Sequence, residues 1–264
     1  MSDVYDFAEG NSPLVVSIPH DGRLLASGLA ERMTDAGRAM PDTDWHVRKL
    51  YSFVTELHAT VIAARYSRYV VDLNRPPDDE TLYENRVVTS LVPDKAFSGA
   101  DIYLGKRAPD RAEREARVTQ YWQPYHDRLA DALDAVKQRF GYALLWDAHS
   151  IASVVPSLFD GVLPDLNIGT NNGASCAAPM IDAVASVGGE SSYSMVVDGR
   201  FRGGYITRHY GMPGSGIHAI QLELAQHNYM NEKNLRYDAR LADRLADTIR
   251  KMLQSFVATA ARNT

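Results

Sequence analysis

The sequence predicts an α/β fold, in which a mixed β-sheet carries helices on both faces and forms a single-domain, three-layer sandwich. Short apolar runs alternate with amphipathic stretches along the chain, which is the pattern of a sheet flanked by helices. Several of these runs are apolar at nearly every position, as in strands that are buried on both faces. The length of 264 residues suits one large domain, and since no repeat or linker divides the chain, we treat residues 1–264 as one unit.

Seven short apolar runs are the predicted strands. In chain order they cover residues 14–19, 60–64, 69–73, 143–147, 165–169, 194–198 and 217–224.

Three helices are predicted from apolar residues at helical spacing. The first follows Asp44, with Asp42 or Asp44 as its N-terminal cap. The second runs from Val118 and ends at Gly141, and the third covers residues 239–258. Their apolar stripes are interpreted as core.

Residues 76–115 lack regular periodicity and contain the charged run KRAPDRAERE. A long irregular segment beside strand ends is often functional, so we expect an active-site loop or lid here.

Composition excludes several classes of protein. The net charge of -5 and the pI of about 5.9 do not fit a nucleic-acid-binding protein. The single cysteine, Cys176, excludes an internal disulfide framework and is interpreted as a small buried apolar residue. The N-terminus lacks the features of a signal peptide, and no apolar run approaches the ~18 residues of a membrane span. We therefore expect a cytoplasmic protein that binds neither nucleic acid nor membrane.

Reactive side chains interrupt or end the apolar runs at four places. His20 follows the first run, His149 follows the run at 143–147, and Glu223 lies inside the last run. Asp42 and Asp44 begin a helix. Taken singly, each histidine is more often structural and each aspartate can cap a helix, but a buried glutamate between Leu222 and Leu224 requires a strong partner.

Together these residues match a catalytic zinc site. Two histidines and one carboxylate (from Asp42 or Asp44) are a known ligand set that leaves a fourth position open for water. Glu223 then serves as the general base. Nucleophilic catalysis fits less well, because Pro213 breaks the GxSxG pattern around Ser215 and Cys176 has no histidine near it in the sequence.

Basic residues indicate an anionic ligand. Arg75 follows a predicted strand, where its guanidinium can hold a carboxylate through two hydrogen bonds. A second cluster contains Arg200, Arg208 and paired glycines that permit close backbone approach. A substrate with two carboxylates, such as an N-acyl glutamate, suits both.

The chain also resembles the N-formylglutamate amidohydrolase (deformylase) family. The matching segments occur in family order and span nearly the whole chain: SIPHDG, DTDWHVRKLY, SRYVVDLNRPP, YWQPYH, LLWDAHS, LPDLNIGT, GRFRGGYITRHYG and HAIQLELAQHNYM. The family is distantly related to the zinc carboxypeptidases, whose phosphorylase/hydrolase-like fold has a mixed eight-stranded sheet.

The resemblance implies a set of roles. Zinc is expected at His20, Asp44 and His149, with Asp42 as the alternative ligand, and Glu223 is the expected base. It also implies that Asn74 and Arg75 hold a substrate carboxylate, and we expect Arg200, Thr207 and Arg208 of the basic cluster to bind substrate as well.

The implied reaction is hydrolysis of N-formyl-L-glutamate to formate and L-glutamate, a step of histidine degradation. One departure concerns the third ligand, because Arg23 stands where the carboxypeptidases have the glutamate of HxxE. The alternatives are hydrolysis of another N-acyl amino acid, a peptidase, or a non-catalytic carboxylate-binding protein. Manganese, iron or cobalt can replace zinc in such a site.

Overall fold

The computed structural model describes residues 4–80 and 89–263. Its centre is a seven-stranded mixed sheet with the order β1-β3-β2-β4-β7-β5-β6. The strands are β1 (Tyr5–Ala8), β2 (Leu14–Ile18), β3 (Thr60–Ala64), β4 (Ala143–Ile151), β5 (Leu166–Gly169), β6 (Met195–Val197) and β7 (Ile217–Ala225). Strands β3, β2, β4 and β7 are parallel, whereas β1 is antiparallel to β3 and β5 is antiparallel to β7. A separate hairpin pairs β8 (Met230–Asn231) with β9 (Arg236–Tyr237).

Helices cover both faces of this sheet. They are α1 (Asp35–Arg38), α2 (Val47–Leu50), α3 (Arg111–Arg117), α4 (Gln123–Phe140), α5 (Ala178–Gly189), α6 (Tyr205–Tyr210) and α7 (Ala239–Asn263). Alternate strand residues enter two different cores: Leu144 belongs to the same core as Leu245 of α7, while Leu145 belongs to the same core as Leu129 of α4. The predicted α/β sandwich with strands buried on both faces is therefore confirmed.

The predicted strands differ from the structure in three respects. Residues 69–73 form turns instead of a strand, because Asp72 accepts a hydrogen bond from the backbone of Asn74 and Val70 bonds back to Ser67. The apolar side chains of this segment are nevertheless buried. The edge strand β1 was not predicted, since only alternate residues of it are shielded from solvent. The resemblance implied eight strands in the main sheet, and the described residues form seven.

The helix after Asp44 is present, but neither predicted aspartate caps it. It begins after His46, which has φ 66° and makes no side-chain cap. The carboxylate of Asp21 accepts hydrogen bonds from the backbone N–H groups of His46 (3.2 Å) and Arg48 (3.0 Å) instead. Asp42 and Asp44 are thereby left for other contacts.

The other two predicted helices are confirmed. A short π-helical segment (Val118–Trp122) leads into α4, which ends at Gly141 with φ 85°. Helix α7 continues to Asn263, beyond the predicted end. Cys176 is buried, as interpreted from the sequence. Within the described residues, no helix is both long and apolar enough to cross a bilayer.

Part of the expected loop at 76–115 falls on residues 81–88, which lie outside the described residues. The described part is mostly irregular until α3 begins at Arg111, and Phe97 from it lines the cavity beside the sheet. Its action as a lid stays a prediction.

Candidate active site

The parallel strands β2, β4 and β7 place three predicted residues at one end of the sheet. His20 comes two residues after the end of β2, and His149 lies two residues before the end of β4. Glu223 is paired in register with His149 on the neighbouring strand β7. Because carboxyl ends of parallel strands share one edge, these side chains converge there. They line one cavity.

His20, Asp44 and His149 form a buried cluster. One potential ligand atom from each residue lies within 4.8 Å of the other two. The Oδ2 atom of Asp44 is 3.1 Å from His149 Nδ1 and 3.8 Å from His20 Nδ1. A backbone hydrogen bond from Asp44 N to His20 O, at 3.1 Å, ties the two loops that carry these residues.

Asp42 points elsewhere, although it is two residues from Asp44. Its Oδ2 atom accepts hydrogen bonds from the Tyr69 hydroxyl (2.6 Å) and the Phe97 backbone N–H (2.9 Å). Burial raises the pKa of Asp42 despite these bonds. The structure thus brings Asp44, and not Asp42, to the two histidines.

The outer nitrogen of each histidine faces a second carboxylate. His20 Nε2 lies 2.8 Å from Asp72 Oδ1, and His149 Nε2 lies 3.0 Å from Asp147 Oδ2. When Nε2–H donates to these carboxylates, both Nδ1 atoms are left as lone-pair donors that face Asp44. Burial opposes the charged form of His149, but Asp147 and Asp44 hold its pKa well above the ordinary value.

Arg68 links these acidic groups. Its Nη2 atom donates to Asp72 Oδ2 at 2.6 Å, and its Nη1 atom is 3.6 Å from Asp44 Oδ1. Although burial favours a neutral carboxyl, Arg68 and His20 hold the pKa of Asp72 well below its usual range. Arg68 and Asp72 were not predicted from the sequence.

The donor set fits a divalent metal such as zinc. Two imidazole nitrogens and one carboxylate oxygen are the ligands of many catalytic zinc sites. Asp44 Oδ1 is buried and has no hydrogen-bond donor among the residues that the structure describes. A buried carboxylate oxygen without a hydrogen-bond donor is costly, and a metal ion would stabilise it in addition to Arg68 Nη1, which lies 3.6 Å away.

Glu223 lies beside this cluster and is 7 % exposed. Burial raises its pKa to about 8, and the nearby His149 works in the opposite direction. Such a carboxyl is suited to accept and release a proton near neutral pH. Its neighbour Gln221, two residues earlier on β7, donates from Nε2 to Glu223 Oε2 at 3.2 Å.

The cavity is partly open to solvent. Of the five residues predicted to bind substrate, Asn74, Arg75 and Arg200 line it. Arg75 is oriented by Thr89, since its Nε donates to the Thr89 carbonyl at 2.9 Å. Arg200 donates from Nε to the carbonyl of Leu158. The two guanidinium groups therefore have fixed positions on the cavity wall.

The other two predicted residues are not among the described residues that line the cavity. Thr207 is fully buried, with its Oγ1 3.4 Å from Asp147 Oδ2. Arg208 donates from Nε to the carbonyl of Gly203 at 2.8 Å. Thr207 and Arg208 thus contact other residues of the protein and do not form part of the cavity wall.

The paired glycines approach the protein itself. A Cβ atom at Gly204 would lie 2.4 Å from Asn74 Nδ2, and one at Gly169 would lie 2.4 Å from the Gly203 nitrogen. Asn74 Oδ1 accepts from the Ile206 backbone N–H, so the amide is fixed from that side. The sequence predicted that these glycines allow an anionic ligand to approach the backbone closely. In the structure, the close contact of Gly204 is with the side chain of Asn74.

Comparison with known proteins identifies the family of this chain. A family model described as N-formylglutamate amidohydrolase matches residues 12–230. The chain belongs to this family. The resemblance found in the sequence segments is thus confirmed.

Two relatives of the amidohydrolase family cover almost the whole chain. An N-formylglutamate deformylase of Pseudomonas aeruginosa is 48% identical over 262 residues, which are 98% of this chain and 97% of the relative. An N-formylglutamate deformylase of Pseudomonas putida is 46% identical over 263 residues, 99% of this chain and 98% of the relative.

Solved structures show the same fold. An N-formylglutamate amidohydrolase from Ralstonia eutropha superposes with a TM-score of 0.84 at 23% identity, covering 99% of both chains. A gene product of Agrobacterium tumefaciens gives a TM-score of 0.71 at 21% identity, covering 96% of this chain and 95% of the other.

Proposed function

We propose that this amidohydrolase hydrolyses N-formyl-L-glutamate to formate and L-glutamate with the help of a divalent metal, zinc being the first candidate. His20, Asp44 and His149 would hold the metal. The observation that carries the proposal is one cavity lined by two of these residues, by Glu223 and by three arginines, Arg68, Arg75 and Arg200. The relatives' name, N-formylglutamate deformylase, supports the choice of substrate.

The metal would supply Lewis acidity, which polarises the amide carbonyl and makes water a better nucleophile at neutral pH. Glu223 takes a proton from the attacking water as the new C–O bond forms. It then gives this proton to the amide nitrogen as the C–N bond breaks, and the second proton of the water passes from the nascent formic acid to the amine, so that formate and L-glutamate are released. One water is consumed and no net proton is needed for these two transfers.

Arg75 and Arg200 are proposed to hold the two carboxylates of the substrate. A guanidinium group binds a carboxylate through parallel hydrogen bonds, and both groups face the cavity. Asn74 supports this wall, because its backbone carbonyl accepts from Arg75 Nη1 at 3.2 Å. Proper placement of the substrate brings the formyl carbon to Glu223 and the metal site. A cytoplasmic location stays a prediction.

The test is formate release from N-formyl-L-glutamate by the purified protein, before and after chelation and after return of zinc. We expect chelation to abolish the release and zinc to restore it. Manganese, iron(II) and cobalt are added in parallel to find the most active metal. N-acetyl-L-glutamate and a short peptide serve as comparison substrates. A zinc-loaded protein that releases no formate, or release that is indifferent to complete metal removal, would overturn the proposal.

A further inference from the structure

Gln221 is a cavity residue that the mechanism above does not use. It lies on β7 two residues before Glu223, so both side chains project from the same face of the strand. Gln221 is buried, and both ends of its amide are engaged: Oε1 accepts from the Gly204 backbone N–H at 2.7 Å, and Nε2 donates to Glu223 Oε2 at 3.2 Å.

The orientation of this amide is determined by its partners. A backbone N–H can only donate, so the atom that faces Gly204 must be the oxygen of Gln221. The amino group is then directed at Glu223, where it can only donate. A flipped amide would place two donors opposite each other at Gly204.

Gly204 itself has little freedom to move. It packs so closely on Asn74 that a Cβ atom would lie 2.4 Å from Nδ2, and the next residue, Tyr205, donates its backbone N–H to the Asn74 carbonyl at 3.2 Å. The contacts therefore form a chain from Asn74 through Gly204 and Gln221 to Glu223. The chain ends on the proposed base.

We propose that Gln221 is a positioning residue that holds the carboxylate of Glu223 in the orientation needed for proton transfer. This inference rests on the proposed role of Glu223 as the general base. A neutral amide is well suited to the task. It restrains rotation of the carboxylate with one hydrogen bond, whereas an arginine in its place would pair with the charge and make the carboxylate a weaker base.

The first variant is Gln221→Met, which keeps the length of the side chain and removes both amide contacts. We expect kcat to fall roughly tenfold to a hundredfold, because a misplaced catalytic group loses rate while the substrate contacts remain. KM should change less than threefold, and the bound metal per protein should stay as in the wild type. The control is Gln138→Met on the exposed side of α4, which should leave all three values unchanged.

A double-mutant cycle with Glu223→Gln separates positioning from a structural effect. If Gln221 acts through Glu223, Gln221→Met changes kcat less than threefold once Glu223→Gln is present. The same fold-loss in both backgrounds would overturn the inference while leaving the base role intact. Full turnover by Glu223→Gln alone would instead overturn the proposed role of Glu223.

Gln221→Glu serves as the second variant, including the case in which Gln221→Met does not fold. It keeps an oxygen for the Gly204 N–H but places a carboxyl group against Glu223. A residue that only supports Gly204 should tolerate this change, and near-native kcat would overturn the inference. A positioning residue should lose kcat at least tenfold in the wild-type background, and less than threefold when Glu223→Gln is present.

Discussion

Asp147 Oδ2 lies 3.0 Å from His149 Nε2, on the opposite side of the ring from Asp44 Oδ2, which lies 3.1 Å from Nδ1. The carboxylate of Asp147 also accepts from the Ser17 hydroxyl at 3.1 Å and from Asn74 Nδ2 at 3.2 Å. It is thus held by groups on other segments of the chain. With a metal on Nδ1, Asp147 would hold the remaining proton of His149 on Nε2.

Asp147→Asn should weaken metal binding about 10-fold to 100-fold, the usual effect of losing such an outer carboxylate. An amide group next to Nε2 favours the tautomer with its proton on Nδ1, the nitrogen that faces Asp44. Competition with a chromophoric chelator measures the metal Kd. Asp101→Asn, at an exposed ion pair with Lys95, is the control and should bind as the wild type does. An unchanged Kd for Asp147→Asn would contradict this role.

His149→Ala should abolish stoichiometric metal binding, because two of three protein ligands rarely hold a catalytic zinc. Elemental analysis of the purified variant provides the measurement. His58→Asn is the control: His58 is exposed and has φ 51°, a conformation that asparagine also accepts. Full zinc occupancy in His149→Ala would remove His149 from the ligand set.

Metal binding should release a proton from Glu223. Burial raises the pKa of this carboxyl to about 8 in the metal-free protein, so at pH 7 it is mostly protonated. A cation beside it lowers the pKa and drives the proton off. Calorimetric metal titrations in buffers of different ionisation enthalpy count the protons released. Glu223→Gln should release close to one proton fewer than the wild type at pH 7, and the difference should shrink above pH 9. Equal counts at pH 7 would contradict it.

Arg75→Ala and Arg200→Ala should each raise KM for N-formyl-L-glutamate about tenfold or more, with a smaller change in kcat. Each variant loses a charge-assisted contact with a carboxylate, worth about 1.5–3 kcal/mol. Steady-state kinetics is the measurement. Arg250→Ala, at a surface ion pair with Glu56, should keep the wild-type KM. An unchanged KM for either cavity variant would remove that arginine from the substrate site.

His126 should make the fold sensitive to acid. Burial lowers its pKa from 6.5 to about 3, although the Leu73 carbonyl at 2.8 Å opposes the shift. Below pH 6.5 the unfolded chain therefore binds a proton that the folded protein does not, and the free energy of unfolding falls as the pH is lowered. Its contribution is fully present above pH 6.5 and is lost progressively towards pH 3.

Urea unfolding between pH 7 and pH 4 tests this contribution. His126→Gln should reduce the slope of unfolding free energy against pH by up to about 1.4 kcal/mol per pH unit. His58→Asn should retain the wild-type slope, since His58 is exposed. Identical slopes for His126→Gln and the wild type would contradict the assignment.

The sheet could be predicted from the apolar runs in the sequence. His20, His149 and Glu223 could also be predicted as site residues, because each of these polar side chains interrupts or follows an apolar run. The same rule also applies to Asp72 and Gln221, which lie within apolar runs in the same way. Apolar periodicity could not show that residues 69–73 form a buried turn, because a buried strand and a buried turn enclose the same apolar side chains.

The choice between Asp42 and Asp44 could not be made from spacing. It depends on Tyr69 and Phe97, which take Asp42 away from the histidines and come from distant segments. The partner of the paired glycines could not be predicted from the sequence for the same reason. Their sequence indicated a close approach, but the partner, Asn74, is more than 100 residues away in the chain.

The register between β4 and β7 sets the positions of the proposed catalytic residues, whereas the residues proposed to select the substrate lie elsewhere. His149 and Glu223 face each other across one pair of adjacent strands, so their spacing is set by the ladder of backbone hydrogen bonds. Arg75, Arg200 and Phe97 lie on irregular segments outside that ladder. Insertions or exchanges in those segments can reshape the cavity for other acyl groups while the distance between the two strand residues stays constant. New substrate ranges are thus accessible to evolution, and to engineering, without rebuilding the hydrolytic machinery.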